Sequence, residues 1–418
     1  MPVRVSGNYS PRDGFFYGWV VVAACLVIIT IIFGTRSSFG VFFKSLEVEF
    51  LLSRAVTSAV FSTHMIISAA FGILAGWALD RHGPRIVILL MGIFTGLSLI
   101  LTSQTYASWQ LFITYGLLLA LGSGAGYTVL MATVSRWFHK KRGLAVGIAS
   151  SGTGLGTLAM APFAAYLISG LGWRTAYLVI GLIAGLVIIS LSLLLKKEPG
   201  DIGLLPDGAK SDPQKNHPPD KKTDTGPVAL SLPQAARTRS FWALATIWSL
   251  YSACLHLVLT HVVPYVMDTG IAASNAAMVL GLMGGCNILG RLIMGPFSDM
   301  AGRKTSAVAS ALLASGAMVW LAWSRDLWAF YLFSLAFGFS WGGISATTTA
   351  LIADTYGLHN LGVIMAVMNV GFSTGAAIGP FIGGYIFDVS HSYLIAFLIG
   401  ALFMIVTALS AAVTRKEL

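Results

Sequence analysis

The chain has 418 residues, of which 56% are hydrophobic and 10% are charged, and its formal net charge is +10. Soluble domains carry about 25% charged residues, so this composition excludes an ordinary soluble protein and indicates one that crosses a lipid bilayer many times. The three cysteines, Cys25, Cys254 and Cys286, all fall within apolar segments, which argues against a disulfide framework.

Twelve apolar segments are each long enough, at about 18 residues or more, to cross a bilayer as a helix. In chain order they occupy residues 17–41, 56–79, 84–102, 109–135, 142–169, 173–195, 241–266, 274–298, 304–323, 327–353, 360–386 and 392–413. The first segment is longer than the apolar core of a signal peptide and lacks a small-residue cleavage site, so we expect it to remain as the first helix. The predicted fold is an all-α membrane protein of twelve transmembrane helices.

Most basic residues between the segments fall on one side when alternate loops are assigned to opposite sides of the membrane. That side carries Arg81, Arg85, Arg136, Lys140, Lys141, Arg142, the basic residues of 196–239, Arg303 and Lys304. The other side carries only Lys44, Arg54, Arg174 and Arg325. The positive-inside rule then places the basic side and both termini in the cytoplasm. The basic excess therefore indicates topology in a multi-pass cell-membrane protein and not nucleic-acid binding.

Residues 196–240 interrupt the apolar pattern with prolines and charged residues. Such a stretch cannot bury a core, and it predicts a flexible cytoplasmic linker. It separates a predicted N-terminal six-helix bundle, residues 1–195, from a C-terminal six-helix bundle, residues 241–418.

The two predicted bundles share sequence markers at a nearly constant offset. The spacing Gly-x-x-x-Asp-x-x-Gly-x-basic occurs at 76–85 and again at 295–304, and a Pro-Phe pair occurs at 162–163 and again at 380–381. These repeats predict two pseudo-symmetric halves with a substrate site between them near the membrane midplane.

The loop sequence Asp80-Arg81-x-Gly83-x-Arg85 resembles the cytoplasmic signature of the major facilitator superfamily. Within that superfamily the chain resembles the monocarboxylate transporters in the stretches 13–19, 38–44 and 137–156, although the first has an additional aromatic residue before Gly18-Trp19. The resemblance covers the whole chain. It implies a secondary transporter that moves a small monocarboxylate, such as lactate or pyruvate, with a proton by alternating access. It implies no cofactor, and we expect a monomer in the bilayer to suffice.

The two loop copies are predicted to act as gates. A carboxylate near a helix end and cations just beyond it can bridge neighbouring helices in one conformation and release them in another. The candidates are Asp80, Arg81, Arg85, Asp299, Arg303 and Lys304, with Arg142 at the entrance to the fifth segment. The alternative is that these charges only anchor the helices at the lipid headgroups.

Arg291 lies in the apolar stretch GCNILGRLIMG of the eighth segment. A charge at this depth costs at least about 2.5–3.5 kcal/mol and usually faces a bundle interior or an aqueous cavity. The segment has no acidic residue, whereas Asn287 lies one turn earlier and its amide can hold the guanidinium without neutralising it. A guanidinium fork suits a carboxylate, so Arg291 and Asn287 are predicted to bind the substrate. The alternative is an ion pair with another helix, for example through Asp354.

The resemblance implies a substrate-binding Arg on the eighth helix with an Asp one turn before it. Asn287 stands in place of that Asp, which leaves the proton-carrying group open. His64, His256 and His261 are candidate proton carriers, although a membrane histidine is commonly a hydrogen-bonding residue between helices. Arg36 lies beside Ser37, which occupies the position of a functional Lys in relatives.

Tyr127 on the fourth segment is the third predicted substrate-binding residue. Further candidates for substrate binding or coupling are Tyr251, His256, Phe339, Ser373 and Arg36. With Arg291 as the one firmly expected cation, and no Lys or Arg in 360–386, the sequence favours a monocarboxylate over a dicarboxylate. The alternative is a carboxylate antiporter of the oxalate/formate type, whose members are expected to carry a basic residue on the eleventh helix.

Other function classes are disfavoured by the sequence. An enzyme needs convergent catalytic groups, and the segments contain no such cluster, so no metal or cofactor is expected either. A channel needs rings of charge or a selectivity filter, which a single chain with one deep Arg does not supply. A sensor needs a folded output domain, which the composition of 196–240 does not provide.

Overall fold

The computed structural model describes residues 16–202, 204–205, 207, 232–356 and 361–414. The first three residues of the 13–19 motif and most of the predicted linker lie outside the described residues. The helices are α1 Gly18–Glu49, α2 and α3 within Arg54–Ser103, α4 Ser108–Trp137, α5 and α6 within Arg142–Ser192, α7 Arg239–Asp268, α8 Ala273–Ala301, α9 Arg303–Trp323, α10 Leu327–Tyr356, α11 Leu361–Ser390 and α12 Leu394–Val413.

Ten apolar helices of membrane-spanning length are present in the described residues, and two of them are about twice the length of the others. The helix Arg54–Ser103 has 50 residues, or about 75 Å, whereas the apolar core of a bilayer is about 30 Å thick. Its backbone breaks at Gly83, where φ is 77° and ψ is 169°, and the second long helix breaks in the same way at Gly172. This conformation is essentially restricted to glycine. The two breaks divide ten helices into the twelve predicted segments.

The ends of several helices extend beyond the predicted segments. The prediction that the first segment ends at residue 41 is wrong, because α1 continues to Glu49. Phe42, Phe43 and Leu46 keep the last turns packed on the core, while Lys44 and Glu47 interrupt the apolar run that marked the segment. At the other boundary, α7 begins at Arg239, inside the stretch predicted as linker. The division at 1–195, 196–240 and 241–418 stays a prediction.

The two groups of helices meet closely from the middle of the membrane to its outer side. A Cβ atom built on Gly154 of α5 would lie 2.5 Å from the carbonyl oxygen of Gly284 on α8. The Ser62 hydroxyl of α2 donates a hydrogen bond of 2.5 Å to the carbonyl oxygen of Ala377 on α11. Such close approach requires small residues at the interface.

The same helices separate toward the cytoplasm. Among the described residues, no atom lies within 4 Å of a Cβ atom built on Gly147 of α5 or on Gly295 of α8. Gly72 and Gly76, in the cytoplasmic half of α2, are equally free of neighbours. The chain is therefore closed on the outer side and open on the cytoplasmic side, which is the inward-facing arrangement of an alternating-access transporter.

Candidate substrate site

Arg291 is half-buried on α8, and its Nε atom is buried without a hydrogen-bond partner in the described part of the chain. Asp354, the acid considered as an alternative partner, accepts instead from Arg303 at 3.4 Å. No ion pair to Arg291 or to Arg36 is formed among the described residues. Both guanidinium groups keep their hydrogen-bonding capacity for another partner.

Asn287 is completely buried, and neither its Oδ1 nor its Nδ2 atom has a partner in the residues described. The expectation that this amide holds the Arg291 guanidinium is therefore wrong for the inward-facing arrangement. The reason is packing, because a Cβ atom on Gly154 of α5 would lie 3.1 Å from the Asn287 oxygen. The amide faces α5, so its unpaired atoms become available to a ligand or to Arg291 when α5 and α8 rearrange.

Tyr127 and Tyr251 lie near Arg291. At about 1.5 Å per residue, Arg291 is about 27 Å from the outer end of α8, and Tyr127 is about 28 Å from the outer end of α4. Tyr251 on α7 interacts electrostatically with both Arg291 and Tyr127. Its hydroxyl donates to the carbonyl oxygen of Trp341 at 3.2 Å, which fixes the ring between α7 and α10. Three of the predicted residues, from three helices, therefore come together.

Arg36 also reaches this site. Its guanidinium carbon lies 4.2 Å from the centre of the Phe33 ring, and that ring packs edge-on to Tyr127 at 5.9 Å. Side chains on a helix tilt toward its N-terminus, which is cytoplasmic for α1 and outer for α8. Arg36 follows this rule, because its guanidinium lies over Phe33 and so points back toward the cytoplasmic end of α1. The sequence firmly predicted one cation in the site, Arg291, whereas the structure also brings Arg36 beside Tyr127.

Sequence reasoning missed two aromatic residues. Trp248 on α7 has a buried indole Nε1–H without a partner among the described residues, and its ring is 5.5 Å from Phe372 on α11. Phe372 also packs near Tyr251, at 6.4 Å. The signal was present, because Trp248 precedes Tyr251 by three residues and shares its helix face.

The remaining predicted site residues are less central. Phe339 is half-buried, and its backbone carbonyl packs directly on Gly290, the residue before Arg291. Ser373 is half-buried on α11 next to Phe372. The Ser373 hydroxyl has no hydrogen-bond partner within the described residues.

The three histidines differ in their hydrogen bonds. The His261 ring contacts the Pro380 carbonyl oxygen through Nε2 at 2.8 Å and the Tyr393 hydroxyl through Nδ1 at 3.0 Å. His256 contacts the carbonyl oxygen of Ser252 through Nδ1 at 2.9 Å. His64 has no partner for either nitrogen among the described residues.

In the described part of the chain, the predicted gate residues form ion pairs within each half and not between the two halves. Asp80 accepts from Arg136 at 2.8 Å, joining α2 to α4. Arg303 pairs with Asp299 and with Asp354, joining α9 to α8 and α10. Arg81 lies over the Trp77 ring, while Arg85, Arg142 and Lys304 are exposed. Their gating role stays a prediction.

A charged cluster on the outer side, absent from the sequence predictions, does cross between the halves. Arg54 at the start of α2 pairs with Asp268 of α7 at 2.7 Å and with Glu47 of α1 at 3.1 Å, and it is 3% exposed. Asp388 of α11 accepts the backbone N–H groups of Arg54 and Ala55 at 2.9 and 2.8 Å. We call Glu47, Arg54, Asp268 and Asp388, with Lys44, the outer cluster.

The family model of the major facilitator superfamily matches residues 25–369 and 262–417 of the chain. The chain belongs to the major facilitator superfamily. It is therefore a multi-pass membrane transporter and not an enzyme.

Similar proteins point to one group within the superfamily. The chain is 26% identical to monocarboxylate transporter 13 of Bos taurus, over 94% of this chain and 88% of that protein. It is 27% identical to monocarboxylate transporter 11 of Homo sapiens, over 93% and 81%. Its resemblance to the monocarboxylate transporters is thus confirmed.

Among solved structures, a bacterial homologue of the human lysosomal transporter Spinster, inward-facing and unoccupied, superposes with a TM-score of 0.74. The two share 16% sequence identity over 96% of each chain. This likeness confirms the major facilitator fold.

Proposed function

We propose that the chain transports a small monocarboxylate of the lactate or pyruvate type together with a proton, by alternating access. The observation that carries the proposal is Arg291, a guanidinium without an ion-pair partner in the described residues, deep in the membrane at the point where the two halves begin to separate. An unpaired cation in such a place stabilises an anion. Its planar fork of donors matches a carboxylate.

The surroundings of Arg291 suit a small organic acid. Tyr127 and the buried amide of Asn287 offer hydrogen bonds, while Trp248 and Phe372 provide apolar walls. The relatives named monocarboxylate transporters support this substrate class. Arg36 and Arg291 stand on opposite halves of one chain, which supports a monomer as the transporting unit.

Proton symport makes the proposed transport step electroneutral. A monocarboxylate moving with one proton carries no net charge, so the membrane potential neither drives nor opposes it. Uptake by this route is driven by the pH gradient and by the gradient of the substrate itself, and not by voltage.

Uptake of labelled lactate and pyruvate into proteoliposomes tests the proposal. We expect an inward proton gradient to drive accumulation and voltage alone to have no effect. Arg291→Ala removes a charged hydrogen bond worth about 1.5–3 kcal/mol, so substrate affinity should fall by roughly ten- to a hundredfold. Arg291→Lys should remain poor, because an ammonium cannot form the fork.

Arg325→Ala is the matched control, because Arg325 is an exposed arginine of the outer loop. It should bind and transport normally. Near-normal lactate affinity in Arg291→Ala contradicts the proposed site, and sodium-dependent or voltage-driven uptake contradicts proton symport.

Arg36 supports a second candidate, a carboxylate antiporter of the oxalate/formate type. Two convergent cations provide one guanidinium for each carboxylate of a dicarboxylate. In that case oxalate and malonate should compete with lactate for uptake, and Arg36→Ala should remove their competition selectively. If they fail to compete, the monocarboxylate assignment stands.

A further inference from the structure

Two histidines face the interface between the halves above the substrate site. His64 on α2 and His256 on α7 are both completely buried. Their rings lie 6.0 and 5.9 Å from the ring of Phe61, which stands between them. One histidine belongs to each half, so their separation must change when the halves rock.

Hydrogen bonding fixes the state of His256. Its Nδ1 atom lies 2.9 Å from the Ser252 carbonyl oxygen. A carbonyl oxygen can only accept, so Nδ1 carries the hydrogen and Nε2 of the neutral ring keeps a lone pair. That Nε2 atom is buried, and it has no partner in the part of the chain that the structure describes.

The other two histidines have fewer and more hydrogen-bond partners than His256, respectively. Both nitrogens of His64 are buried and lack partners among the described residues. His261, by contrast, donates through Nε2 to Pro380 and accepts from Tyr393 through Nδ1, so its neutral ring is already satisfied. Because most buried polar atoms are hydrogen-bonded, three free imidazole nitrogens at one interface call for a function.

The rings of His64 and His256 lie at nearly the same depth in the membrane as Arg36. At about 1.5 Å per residue, His64 is about 15 Å and His256 about 18 Å from the outer ends of their helices, and Arg36 is about 20 Å from the outer end of α1. Arg36 interacts electrostatically with both rings. By contrast, each described Asp or Glu lies in a loop or within a few residues of a helix end, and so not at this depth.

Titratable and charged groups surround the pair on every helix that packs there. Arg36 on α1 and Tyr115 on α4 act on the pair directly. Farther away, Tyr177 on α6 packs beside Tyr115, and Tyr251 on α7 interacts with Cys254 and with Arg291 on α8. Phe372, the α11 residue in contact with His256, does not titrate. The pair therefore has basic lone pairs, the fixed positive charge of Arg36 nearby and that of Arg291 deeper in the substrate site, and no carboxylate neighbour within the described residues.

We propose that His64 and His256 carry the transported proton, with the Nε2 lone pair of His256 as the acceptor. The inference rests on the proposed proton symport and deepens it by naming the coupling group. Without substrate, Arg36 and Arg291 oppose a third positive charge. A bound carboxylate offsets them, and the imidazole then takes a proton from water on the side that is open. On the other side the carboxylate leaves, the cations act on the imidazolium again, and the proton returns to water.

The experiment compares the double variant His64→Gln with His256→Gln against the unsubstituted protein and a control, His139→Gln. His139 is exposed in the cytoplasmic loop between α4 and α5. Two transport modes are measured in proteoliposomes with labelled lactate: accumulation driven by a proton gradient, and exchange against internal lactate without any gradient. Exchange does not require the proton to leave the carrier.

A gradient of about one pH unit supports about tenfold accumulation when one proton moves with each lactate, and we expect the double variant to lose this accumulation while it keeps exchange. The control should retain both modes. Accumulation in the double variant equal to that of the unsubstituted protein overturns the inference. Loss of both modes to the same extent, in a protein that still binds lactate, also overturns it because it indicates a purely structural role.

A second measurement does not depend on folding of the variants. Titration of the unsubstituted protein with lactate in buffers of different ionisation enthalpy gives the number of protons taken up on binding. We expect close to one proton per lactate, and uptake of none overturns the inference. Absence of lactate binding, or accumulation driven by voltage alone, instead shows that the proposed function has failed.

Discussion

Asp388 should control how much of the time the outer side is closed. Its two carboxylate oxygens accept the backbone N–H groups of Arg54 and Ala55 at 2.9 and 2.8 Å. These are the first N–H groups of α2, so a residue of α11 caps a helix of the opposite half. Opening of the outer side must break both bonds, whereas on the cytoplasmic side no described atom lies within 4 Å of a Cβ atom built on Gly147 or Gly295.

The variant Asp388→Asn keeps an oxygen acceptor but loses the charge and the second acceptor. Loss of a helix cap costs about 0.5–2 kcal/mol, and loss of an anion at a helix N-terminus about 0.3–1 kcal/mol. A combined shift of about 1–2 kcal/mol toward the outward-open form is expected. Since about 1.4 kcal/mol is a factor of ten, the outward-open population should rise roughly five- to thirtyfold.

Cysteine labelling from outside measures that population. Ala377 is 5% exposed beneath the outer cluster, and the native cysteines are all buried. In an Ala377→Cys background, Asp388→Asn should raise the rate of reaction with an impermeant maleimide by the same roughly five- to thirtyfold. Asp326→Asn changes an exposed acid of the outer loop and should leave the rate unaltered. An unchanged rate in Asp388→Asn would refute the capping argument.

Three other substitutions have defined outcomes. Asn287→Asp places a carboxylate one turn before Arg291 and attracts the guanidinium into a rearranged position, where it pairs with the carboxylate and not with the substrate; lactate affinity should fall at least about tenfold in a binding assay, and unchanged affinity would mean that Arg291 does not rearrange. Gly156→Val should lower the melting temperature, because its added atoms overlap the backbone of Gly34 and such overpacking costs about 1–3 kcal/mol; an unchanged melting temperature would mean that the two helices can separate. Gly83→Ala forces a side chain into the glycine-restricted backbone region, at a cost of about 1–3 kcal/mol, and should also melt earlier than the parent.

The fold was predictable because membrane helices depend on composition over long windows. Twelve apolar segments and a repeated loop motif were enough, and the glycine of that motif, Gly83, proved to be the point where the backbone turns. Hydropathy placed the end of α1 too early, because Lys44 and Glu47 lower the apolarity of the last two helical turns. Helix ends are polar because they leave the bilayer, so a measure of apolarity cannot locate them.

The site was predictable only in part. Arg291 could be found because a charge in an apolar helix stands out in one dimension. The outer cluster could not, because Arg54, Asp268 and Asp388 are ordinary charges at helix ends until folding brings them together across more than 200 residues of sequence. Arg36 illustrates the same limit, since its place in the site depends on the ring of Phe33 and its contact with Tyr127.

The placement of Arg36 and Arg291 on opposite halves has a kinetic consequence. Two unit positive charges repel each other by on the order of 2 kcal/mol when closure brings them to within roughly 8 Å at an effective dielectric constant near 20. This repulsion opposes closure of the halves around an empty site, and a bound carboxylate removes it. Exchange of lactate for lactate should therefore be faster than net uptake, which requires the empty carrier to return. Arg36→Gln removes one of the two charges and should reduce the ratio of exchange to net uptake by up to roughly thirtyfold, measured in the same proteoliposomes with and without internal lactate. If the ratio stays at the value of the unsubstituted protein, repulsion between the two arginines does not limit the return step.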